Sequence, residues 1–594
     1  MIKSWLPILR WGPGYSGDRF MGDAVAAIIV TMLLIPQSLA YALLAGLPAH
    51  IGLYASIAPL IIYAVLGTST TLAVGPVAVA SLMTAAAAGQ VAAPGTAEYL
   101  GASIVLAWLG GLMLVVMGLL RLGFLASFLS HPVISGFISA SGILIALSQV
   151  RHLLGIEAGG STVPELLPKL LSHLHLSHWP TMLLGFGVMA LLILFRRHLR
   201  PMLLALGLPT AMADPLARTG PAICVLITVL ITWLLNLESA GVNVVGDIPR
   251  ELPSIALPPL DASLWLELAL PAAIIALIGY VETISVAQTL AAKRREQISA
   301  DQELIALGAA NVSSALSGGF PVTGGFSRSV VNFDAGARTP AAGAMTAVGI
   351  ALATLYLTPA IHHLPIATLA ATIIVAVSTL IDFPAIGRTW RYSRPDGAAL
   401  VATLVITLLA GVETGVGVGV LVSLILFLWR TSRPHIAIVG QVAGTEHFRN
   451  VERHHVVCSP KVLSMRVDES LYFPNARYLE DVVADAVASH PGIEHLVIQC
   501  SAINAIDSSA LESLEAIAHR LDAAGVRLHF SEIKGPVMDR LRDTDLLRHL
   551  SGHVFLTHVD ALRALDPAVT QAALDSPRAA DSARHPAVGN GAAH

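Results

Sequence analysis

The sequence predicts an α-helical polytopic membrane protein that ends in a smaller α/β domain. Its 594 residues are 55% hydrophobic and only 12% charged, with a mean hydropathy of +0.72, whereas soluble proteins carry about 25% charged residues. The apolar excess lies between Asp23 and Trp429, and charged residues return at ordinary frequency from His435 onward. A lipid bilayer is therefore the predicted solvent for the first part of the chain, and water for the second.

The change in composition predicts five regions. Residues 1–20 form a cytoplasmic lead-in, 21–432 a membrane domain, 433–450 a linker, and 451–565 an α/β domain. Residues 566–594 are rich in Ala, interrupted by Pro and Gly, and predicted to be disordered. The net charge of −4 gives no reason to expect a nucleic-acid partner. The three cysteines have no paired spacing, so they suggest neither a disulfide nor a metal site. We expect no cofactor.

Basic residues set the predicted orientation in the membrane. A membrane-spanning helix needs roughly 20 apolar residues, and the hydropathy of the chain gives about twelve to fourteen such spans. Lys and Arg cluster at the ends of alternate spans, and the positive-inside rule places these clusters in the cytoplasm. We therefore expect an even number of spans in the inner (plasma) membrane, with both termini and the α/β domain cytoplasmic. The clusters are Arg121; Arg196, Arg197 and Arg200; Lys293, Arg294 and Arg295; Arg388, Arg391 and Arg394; and Arg430 and Arg433.

Two stretches, residues 70–80 and 318–331, are interrupted by Gly and Pro and do not resemble ordinary spans. Gly75-Pro76 and Gly324-Gly325 each precede a short run that can form a helix, and Ser327 is a plausible cap for the second one. Irregular backbone at membrane depth is tolerated only beside protein or a water-filled cavity. Paired breaks of this kind predict a shared site faced by two helix N-termini, which favours an anion. The alternative is that these glycines only allow close helix packing.

Two charged residues strengthen the prediction of an anion site. Arg328 adds a full positive charge to the second broken segment, and Glu282 lies inside an apolar span. An ionised, unpaired acid there costs about 2.5 kcal/mol or more, which makes it a functional residue by default. A carboxyl group beside the site can take up a proton as the anion binds, which is a mechanism for proton–anion symport. The alternative for Glu282 is a structural acid that pairs with an arginine or lies near the membrane surface.

Four motifs together resemble the sulfate permease (SulP) family in order and spacing, and the resemblance spans about residues 10–560. They are Leu34-Ile-Pro-Gln-Ser-Leu-Ala-Tyr41, Pro48-Ala-His-Ile-Gly-Leu-Tyr-Ala-Ser56, Val74-Gly-Pro-Val-Ala78 and Phe326-Ser-Arg-Ser329. Ala505-Ile-Asp-Ser-Ser-Ala-Leu511 resembles the STAS domain that ends many of these proteins. The resemblance implies a bacterial member with fourteen transmembrane segments in two inverted repeats of seven, a core and a gate domain, and a homodimer.

The resemblance also implies an anion site between the third and tenth segments, with a contribution from the first. The substrate-binding positions it assigns are Gln37, Tyr41, Val77, Ala78, Ser327, Arg328 and Ser329. Many relatives carry an aromatic residue where this chain has Val77, so a wider or wetter pocket is expected.

Sulfate or a related small oxyanion is the first predicted substrate, and bicarbonate or a dicarboxylate is the alternative. Glu282 falls in the eighth segment, where proton-coupled members carry an acid, and this favours symport over exchange. Cyanobacterial bicarbonate members use an acid in the same segment for sodium, so both coupling ions stay open.

The C-terminal region alternates short β-type runs with helical ones, which indicates an α/β sandwich. The β-type runs are 462–467, 495–500 and 526–530, and the helical runs are 476–489 and 509–524. In anti-sigma-factor antagonists of this fold the serine matching Ser508 is phosphorylated. The favoured interpretation is simpler, with Asp507 or Ser508 acting as a helix N-cap.

We expect this domain to serve assembly and regulation, since no nucleophile–base pair or metal site suggests an enzyme. His173, His175 and His178 have metal-like spacing, but no acid or Cys accompanies them.

Overall fold

The computed structural model describes residues 5–577 except 129, 161, 208, 210–212, 214–216 and 218. The chain divides into two compact units between Ser423 and Leu424. The first unit holds the transmembrane segments apart from the end of the last one, and the second holds the α/β domain.

Seven segments form the first repeat, preceded by the short helix α1 (Ile8–Trp11). Segments 1–3 are α2 (Gly17–Leu44), the pair α3 (Ala49–Tyr54) and α4 (Ala58–Leu66), and, after strand β1 (Val74–Gly75), α5 (Ala78–Val91). Segments 4 and 5 are α6 (Ala97–Leu119) and α7 (His131–Leu154). After α8 (Val163–His173), segments 6 and 7 are α9 (Trp179–Ala205) and α10 (Gly220–Leu234).

The second repeat follows the same plan. Segments 8–10 are α11 (Ala262–Arg294), α12 (Ala300–Leu316) and, after strand β2 (Thr323–Gly324), α13 (Phe326–Asp334). Segments 11 and 12 are α14 (Ala341–Tyr356) and, after α15 (Thr358–His362), α16 (Ile366–Val377). After α17 (Phe383–Tyr392), segments 13 and 14 are α18 (Arg394–Ala410) and α19 (Val412–Ser432). This arrangement confirms the predicted fold class of seven plus seven segments.

Length and composition alone find fewer spans in the described part of the chain. Seven helices there are long and apolar enough to cross a membrane, and four shorter apolar helices accompany them. Segment 10 is not among these eleven helices because α13 has only nine residues. Segment 9 is not among them because α12 carries the buried polar residues Gln302, Glu303 and Asn311, which lower its hydropathy. Broken and polar segments are tolerated because neighbouring helices cover them.

The two breaks pair directly with each other. Strands β1 and β2 run antiparallel, with Val74 opposite Gly324 and Gly75 opposite Thr323. The following helices begin after Val77 and Gly325, neither of which caps its helix with a side chain. The prediction of Ser327 as the cap is wrong, because Gly325 takes the N-cap position and Ser327 lies in the first turn. The first N–H groups of both helices thus have no side-chain cap.

Close helix contacts join the repeats in the membrane interior. Gly111 of α6 and Gly308 of α12 pack backbone to backbone, since a Cβ on Gly308 would lie 2.6 Å from the Gly111 carbonyl oxygen. Small residues allow such approach where no hydrophobic effect separates helix from lipid. Segments 4 and 9 are therefore in close backbone contact at these two glycines.

The second unit is built on a six-stranded mixed sheet with strand order β4-β3-β5-β6-β7-β8. Its strands are β3 (Ile436–Gln441), β4 (Phe448–Asn450), β5 (Val462–Val467), β6 (His495–Gln499), β7 (Arg527–Ser531) and β8 (Val554–Phe555). Strands β5 to β8 are parallel, while β3 is antiparallel to both of its neighbours.

The helices of this unit are α20 (Phe473–Ser489), α21 (Ser508–Ala523), α22 (Gly535–Leu541), α23 (Asp545–Arg548), α24 (His558–Leu565) and α25 (Pro567–Asp575). The three predicted strands and two predicted helices are present, each within three residues of its predicted bounds.

Two predicted boundaries of this region are wrong. The linker assigned to residues 433–450 contains β3 and β4, because its alternating Ile436 and Ile438 pack onto the domain core. The disorder assigned to residues 566–594 does not hold at its start, where α25 forms and Asp566 accepts the Val569 N–H as an N-cap. Residues 578–594 lie outside the described part of the chain.

Candidate functional site

A cavity of about 540 Å³ lies inside the membrane unit. Segments 1, 3, 8 and 10 contribute one set of lining residues, the first wall, and segments 6, 7 and 12 contribute the other, the second wall. The first wall includes Leu33, Gln37, Tyr41, Val77, Ala78, Glu282, Gly325, Phe326, Ser327 and Arg328; the second includes Leu192, Phe195, Arg196, Arg200, Pro221, Thr372, Val375 and Thr379.

Most residues predicted from the sequence meet in this cavity. Six of the seven substrate-binding positions line it, as does the proposed coupling acid. The glycines and the proline of the two breaks lie in the paired strands or directly after them. Gly75 and Gly324 lie in the paired strands, Pro76 follows the first strand, and Gly325 reaches the cavity wall.

Arg328 is the main polar feature of the first wall. Arg328 is only 2% exposed, and its Nη1 donates to the carbonyl oxygen of Pro76 at 2.5 Å. Among the described residues, Nε and Nη2 of Arg328 have no hydrogen-bond partner. A buried charged donor without a partner is costly, and Arg328 is one of the residues that line the cavity, so its guanidinium favours an anionic ligand there.

Gly325 leaves the room that the guanidinium fills. A Cβ at this position would lie 2.8 Å from Nη2, 2.9 Å from Nε and 3.0 Å from Cζ of Arg328. Gly75 lies opposite, where a Cβ would be 3.5 Å from both Nη atoms. The two breaks therefore hold the guanidinium between them, and the glycine of the second break is needed for its approach.

Two helix N-termini add to the positive potential. The starts of α5, at Val77 and Ala78, and of α13, at Gly325 and Ser327, both line the cavity. Each helix N-terminus acts as roughly half a positive charge. Together with Arg328 they favour an anion by geometry and by charge.

Ser329 does not line the cavity. It is fully buried, its hydroxyl donates to the Gly325 carbonyl oxygen at 2.7 Å, and it accepts the Ala73 N–H at 3.0 Å. It therefore supports the paired breaks, and the structure gives it no place in contact with a bound anion. Asn332 has a similar role, since its Nδ2 donates to the Thr71 carbonyl oxygen at 3.0 Å.

Glu282 shares the cavity with Arg328. It projects from α11, where Thr283 accepts the Gly324 N–H at 2.8 Å and ties this helix to the second break. The Glu282 carboxylate and the Arg328 guanidinium interact electrostatically across the site. The cavity thus combines a fixed cation with an acid that can change its charge.

Two buried acids in the described part of the membrane unit, Glu303 and Asp23, accept several hydrogen bonds each and lie outside the cavity. Glu303 accepts from the Tyr63 hydroxyl at 2.8 Å, from the Thr68 N–H at 2.7 Å and from the Thr68 hydroxyl at 2.6 Å. Asp23 accepts from the Arg338 and Thr339 N–H groups and from the Thr339 hydroxyl. These contacts assign both acids to structure, in contrast to Glu282.

Sequence reasoning missed the second wall. The sequence marks Arg196 and Arg200 only as part of a basic cluster, yet both line the cavity. Their spacing of four residues places them on one face of a helix, but the positive-inside rule already explains a basic cluster at this position, so the spacing alone does not mark a cavity. Phe326, half exposed at 52%, also lines the cavity and supplies an aromatic side chain in segment 10.

Ser508 is an exposed residue in the first turn of α21. Asp507 caps this helix by accepting the Ala510 N–H at 2.8 Å, and its other oxygen accepts the Phe473 N–H at 2.8 Å. The prediction of an N-cap in this motif is thus confirmed, with Asp507 as the capping residue. Phosphorylation of Ser508 stays a prediction. In the histidine triad, His173 and His178 make local hydrogen bonds with Lys169 and Thr181.

Comparison with known proteins agrees with this arrangement. Residues 20–403 match the sulfate permease family and residues 454–561 match the STAS domain. The chain belongs to the sulfate permease family. The probable sulfate transporter 4.2 of Arabidopsis thaliana is 33% identical, covering 93% of this chain and 81% of its own length. The probable sulfate transporter MT1781 of Mycobacterium tuberculosis is 31% identical, covering 93% of this chain and 98% of its own.

Solved structures show the same fold. The anion transporter Slc26a9 from mouse, in the inward-facing state, has a TM-score of 0.85 at 22% identity, covering 95% of this chain and 94% of its own. The transmembrane domain of the cyanobacterial bicarbonate transporter BicA has a TM-score of 0.58 at 21% identity, covering 69% of this chain and 98% of its own. As a sulfate permease family member with this fold, the chain is an anion transporter rather than an enzyme.

Proposed function

We propose that this protein is a secondary active transporter of sulfate or a related small oxyanion that works by alternating access. The observation that carries the proposal is Arg328, which is buried at the cavity wall with Nε and Nη2 unpartnered. The names of the relatives, which include sulfate transporters of plants and a mycobacterium, support sulfate as the first substrate.

The geometry suits an oxyanion with several oxygen atoms. Nε and Nη2 of a guanidinium form a planar fork that binds two oxygens at once. The uncapped first turns of α5 and α13 supply further N–H donors on either side. A cavity of about 540 Å³ also leaves room for water beside the ion, since one water takes about 30 Å³. The anion can therefore keep part of its hydration while it is bound.

Glu282 is the proposed coupling residue. Protonation of its carboxyl group as the anion binds removes a negative charge from the cavity and leaves Arg328 to neutralise the substrate. Loss of the proton on the other side of the membrane restores repulsion between carboxylate and anion, which favours release. This cycle is proton–anion symport.

A second candidate uses the same residues. Bicarbonate or a dicarboxylate also binds a guanidinium fork, and the likeness in fold to a bicarbonate transporter favours this alternative. Sodium, held at Glu282, then replaces the proton as coupling ion. Neither candidate requires a cofactor.

The proposed setting follows from the charge distribution. The arginine clusters, both termini and the STAS domain lie in the cytoplasm, and the membrane unit lies among the lipids of the inner (plasma) membrane. The proposal of a homodimer rests on the family resemblance alone. Arg196 and Arg200 belong to a cytoplasmic cluster and line the cavity, which supports a cavity that opens toward the cytoplasm. In this setting Ser508 is a regulatory phosphorylation site on the cytoplasmic side.

Tracer uptake into proteoliposomes tests the function and its coupling. Labelled sulfate, bicarbonate and a dicarboxylate are compared under imposed proton or sodium gradients, for wild type, Glu282→Gln and Arg328→Ala. Glu267→Gln is the matched control, because Glu267 lies on the same helix at an exposed position. We expect sulfate uptake to follow the proton gradient, Glu282→Gln to lose this dependence, and Arg328→Ala to lose anion binding.

Two results contradict the proposal. Sulfate uptake that ignores the proton gradient, or full coupled uptake by Glu282→Gln, removes the symport mechanism. Normal sulfate affinity in Arg328→Ala removes the site.

A further inference from the structure

A second cluster of ligand-type side chains lies away from the cavity, on two linkers between segments. One linker joins segment 7 to segment 8 and the other joins segment 11 to segment 12. Backbone hydrogen bonds tie them together: the Val245 N–H donates to the Leu364 carbonyl oxygen at 2.9 Å, and the Gly246 N–H donates to that of His362 at 3.1 Å. The Ile366 N–H donates back across the pair, to the Asn243 carbonyl oxygen at 3.0 Å. The linkers are thus a fixed frame for their side chains.

Glu238 from the first linker and His362 and His363 from the second converge on one point. One ligand atom from each lies within 4.8 Å of the other two. A Glu238 carboxylate oxygen is 3.8 Å from His362 Nε2 and 3.8 Å from His363 Nδ1. Zinc–nitrogen bonds of about 2.0–2.1 Å in a tetrahedron place neighbouring ligands roughly 3.4 Å apart. Small side-chain rotations bring the three groups to that spacing.

Asp247 orients one of these ligands. Its carboxylate oxygen lies 2.9 Å from His362 Nδ1, on the side of the ring away from Glu238. A proton on Nδ1, held by Asp247, leaves the Nε2 lone pair free to face the other two ligands. Metal-binding histidines nearly always have such a carboxylate, carbonyl or water on the second nitrogen, which fixes the ring and the tautomer.

We propose that Glu238, His362 and His363 form a binding site for Zn²⁺ or a similar first-row transition metal, with Asp247 as its supporting carboxylate. Two imidazoles and one carboxylate are a donor set that zinc prefers and that Mg²⁺ and Ca²⁺ do not. All three side chains are partly exposed, at 46% for Glu238, 29% for His362 and 32% for His363. Ions can therefore reach the site, and a water completes the tetrahedron.

The site has a consequence for movement within the membrane unit. Segments 7 and 12 pack in the body formed by α7, α9, α10 and α16, whereas segments 8 and 11 belong to the body that carries the paired breaks. Each of the two linkers crosses from one body to the other. A metal that joins the linkers adds a bond where the two bodies are connected, so it restrains their relative motion.

Metal binding is tested directly on the purified full-length chain, carrying an affinity tag without histidines. Zn²⁺ is titrated by calorimetry at pH 7.5 for wild type, His362→Ala, His363→Ala and Asp247→Asn. We expect one Zn²⁺ per chain, at least tenfold weaker binding in each histidine variant, and 10- to 100-fold weaker binding in Asp247→Asn, the usual effect of losing a supporting carboxylate. His175→Ala is the control, because His175 is exposed in a short 3₁₀ helix between segments 5 and 6, and its substitution should leave binding unchanged.

The result that overturns the proposal is equal Zn²⁺ binding by wild type and the double variant His362→Ala/His363→Ala, or no Zn²⁺ binding by wild type. Thermal unfolding without metal establishes that each variant is folded, and the thermal shift on adding Zn²⁺ must vanish in the double variant. These readouts do not depend on transport, so they stand apart from the test of the proposed function.

Discussion

Replacing Gly325 by Ala tests how the structure presents Arg328. The added Cβ would lie 2.8 Å from Nη2 and 2.9 Å from Nε, closer than side chains tolerate. The backbone itself accepts alanine, because φ at Gly325 is −82°. The whole effect of the substitution thus falls on the guanidinium, which must move by about half an ångström to reach ordinary contact.

The expected loss follows from the bonds that this movement disturbs. The displaced guanidinium leaves the Pro76 carbonyl oxygen and misaligns the Nε and Nη2 donors. A hydrogen bond to a charged group contributes about 1.5–3 kcal/mol, and each 1.4 kcal/mol is tenfold in affinity. We therefore expect the Kd for sulfate to rise roughly 10- to 100-fold in Gly325→Ala.

Equilibrium binding of labelled sulfate to purified protein measures this change. Gly343→Ala is the matched control, since it adds the same methyl group where the nearest atom, a Leu60 carbon, is 3.5 Å away. The melting temperature of both variants is measured to establish that they are folded. A wild-type Kd in folded Gly325→Ala would refute the inference that this glycine positions the guanidinium.

Three further predictions concern supporting residues. Ser329→Ala leaves the buried Ala73 N–H without its partner, so we expect about 1–3 kcal/mol lower stability, measured by thermal unfolding, with the sulfate Kd unchanged. Asp507→Ala removes an N-cap and should cost about 0.5–2 kcal/mol, seen as faster hydrogen exchange in α21, whereas Ser508→Ala should have little effect. Burial lowers the pKa of His558 to about 4, so its contribution to stability is full above about pH 6.5 and is lost as the pH falls toward 4. At pH 5 the loss is about 2 kcal/mol, and hydrogen exchange in the full-length chain should show a weaker pH dependence for His558→Gln.

The sequence carries strong local signals for one wall of the cavity. The breaks at Gly75-Pro76 and Gly324-Gly325 interrupt apolar runs, and Arg328 and Glu282 are conspicuous charges in an apolar setting. These signals are local, because a bilayer penalises every irregular or charged residue that lacks a reason to be there. The pairing of β1 with β2 across the two repeats is a long-range contact, and no local pattern predicts its register.

The second wall shows why the remaining cavity residues could not be predicted from the sequence. Arg196 and Arg200 lie in an ordinary cluster of basic residues, which the positive-inside rule already explains, so nothing local marks them as cavity residues. Thr372 hydrogen-bonds to the Thr368 carbonyl oxygen, as threonines in many membrane helices do. Their place in the cavity depends on how segments 6 and 12 pack, and tertiary packing decides that.

The paired breaks and Arg328 act as one unit, and this has a consequence for transport. Arg328 of the second repeat donates to Pro76 of the first, and β1 pairs with β2, so the two repeats share the site and cannot separate without breaking it. Among the residues that the structure describes, none of the second wall makes such a bond to the guanidinium. If the protein works by the proposed alternating access, we expect the bound anion to stay with the breaks while segments 6, 7 and 12 change their position relative to it. Arg196 and Arg200 then meet the anion only in the state that opens toward their own side of the membrane, and their substitution should slow exchange on that side more than it weakens binding.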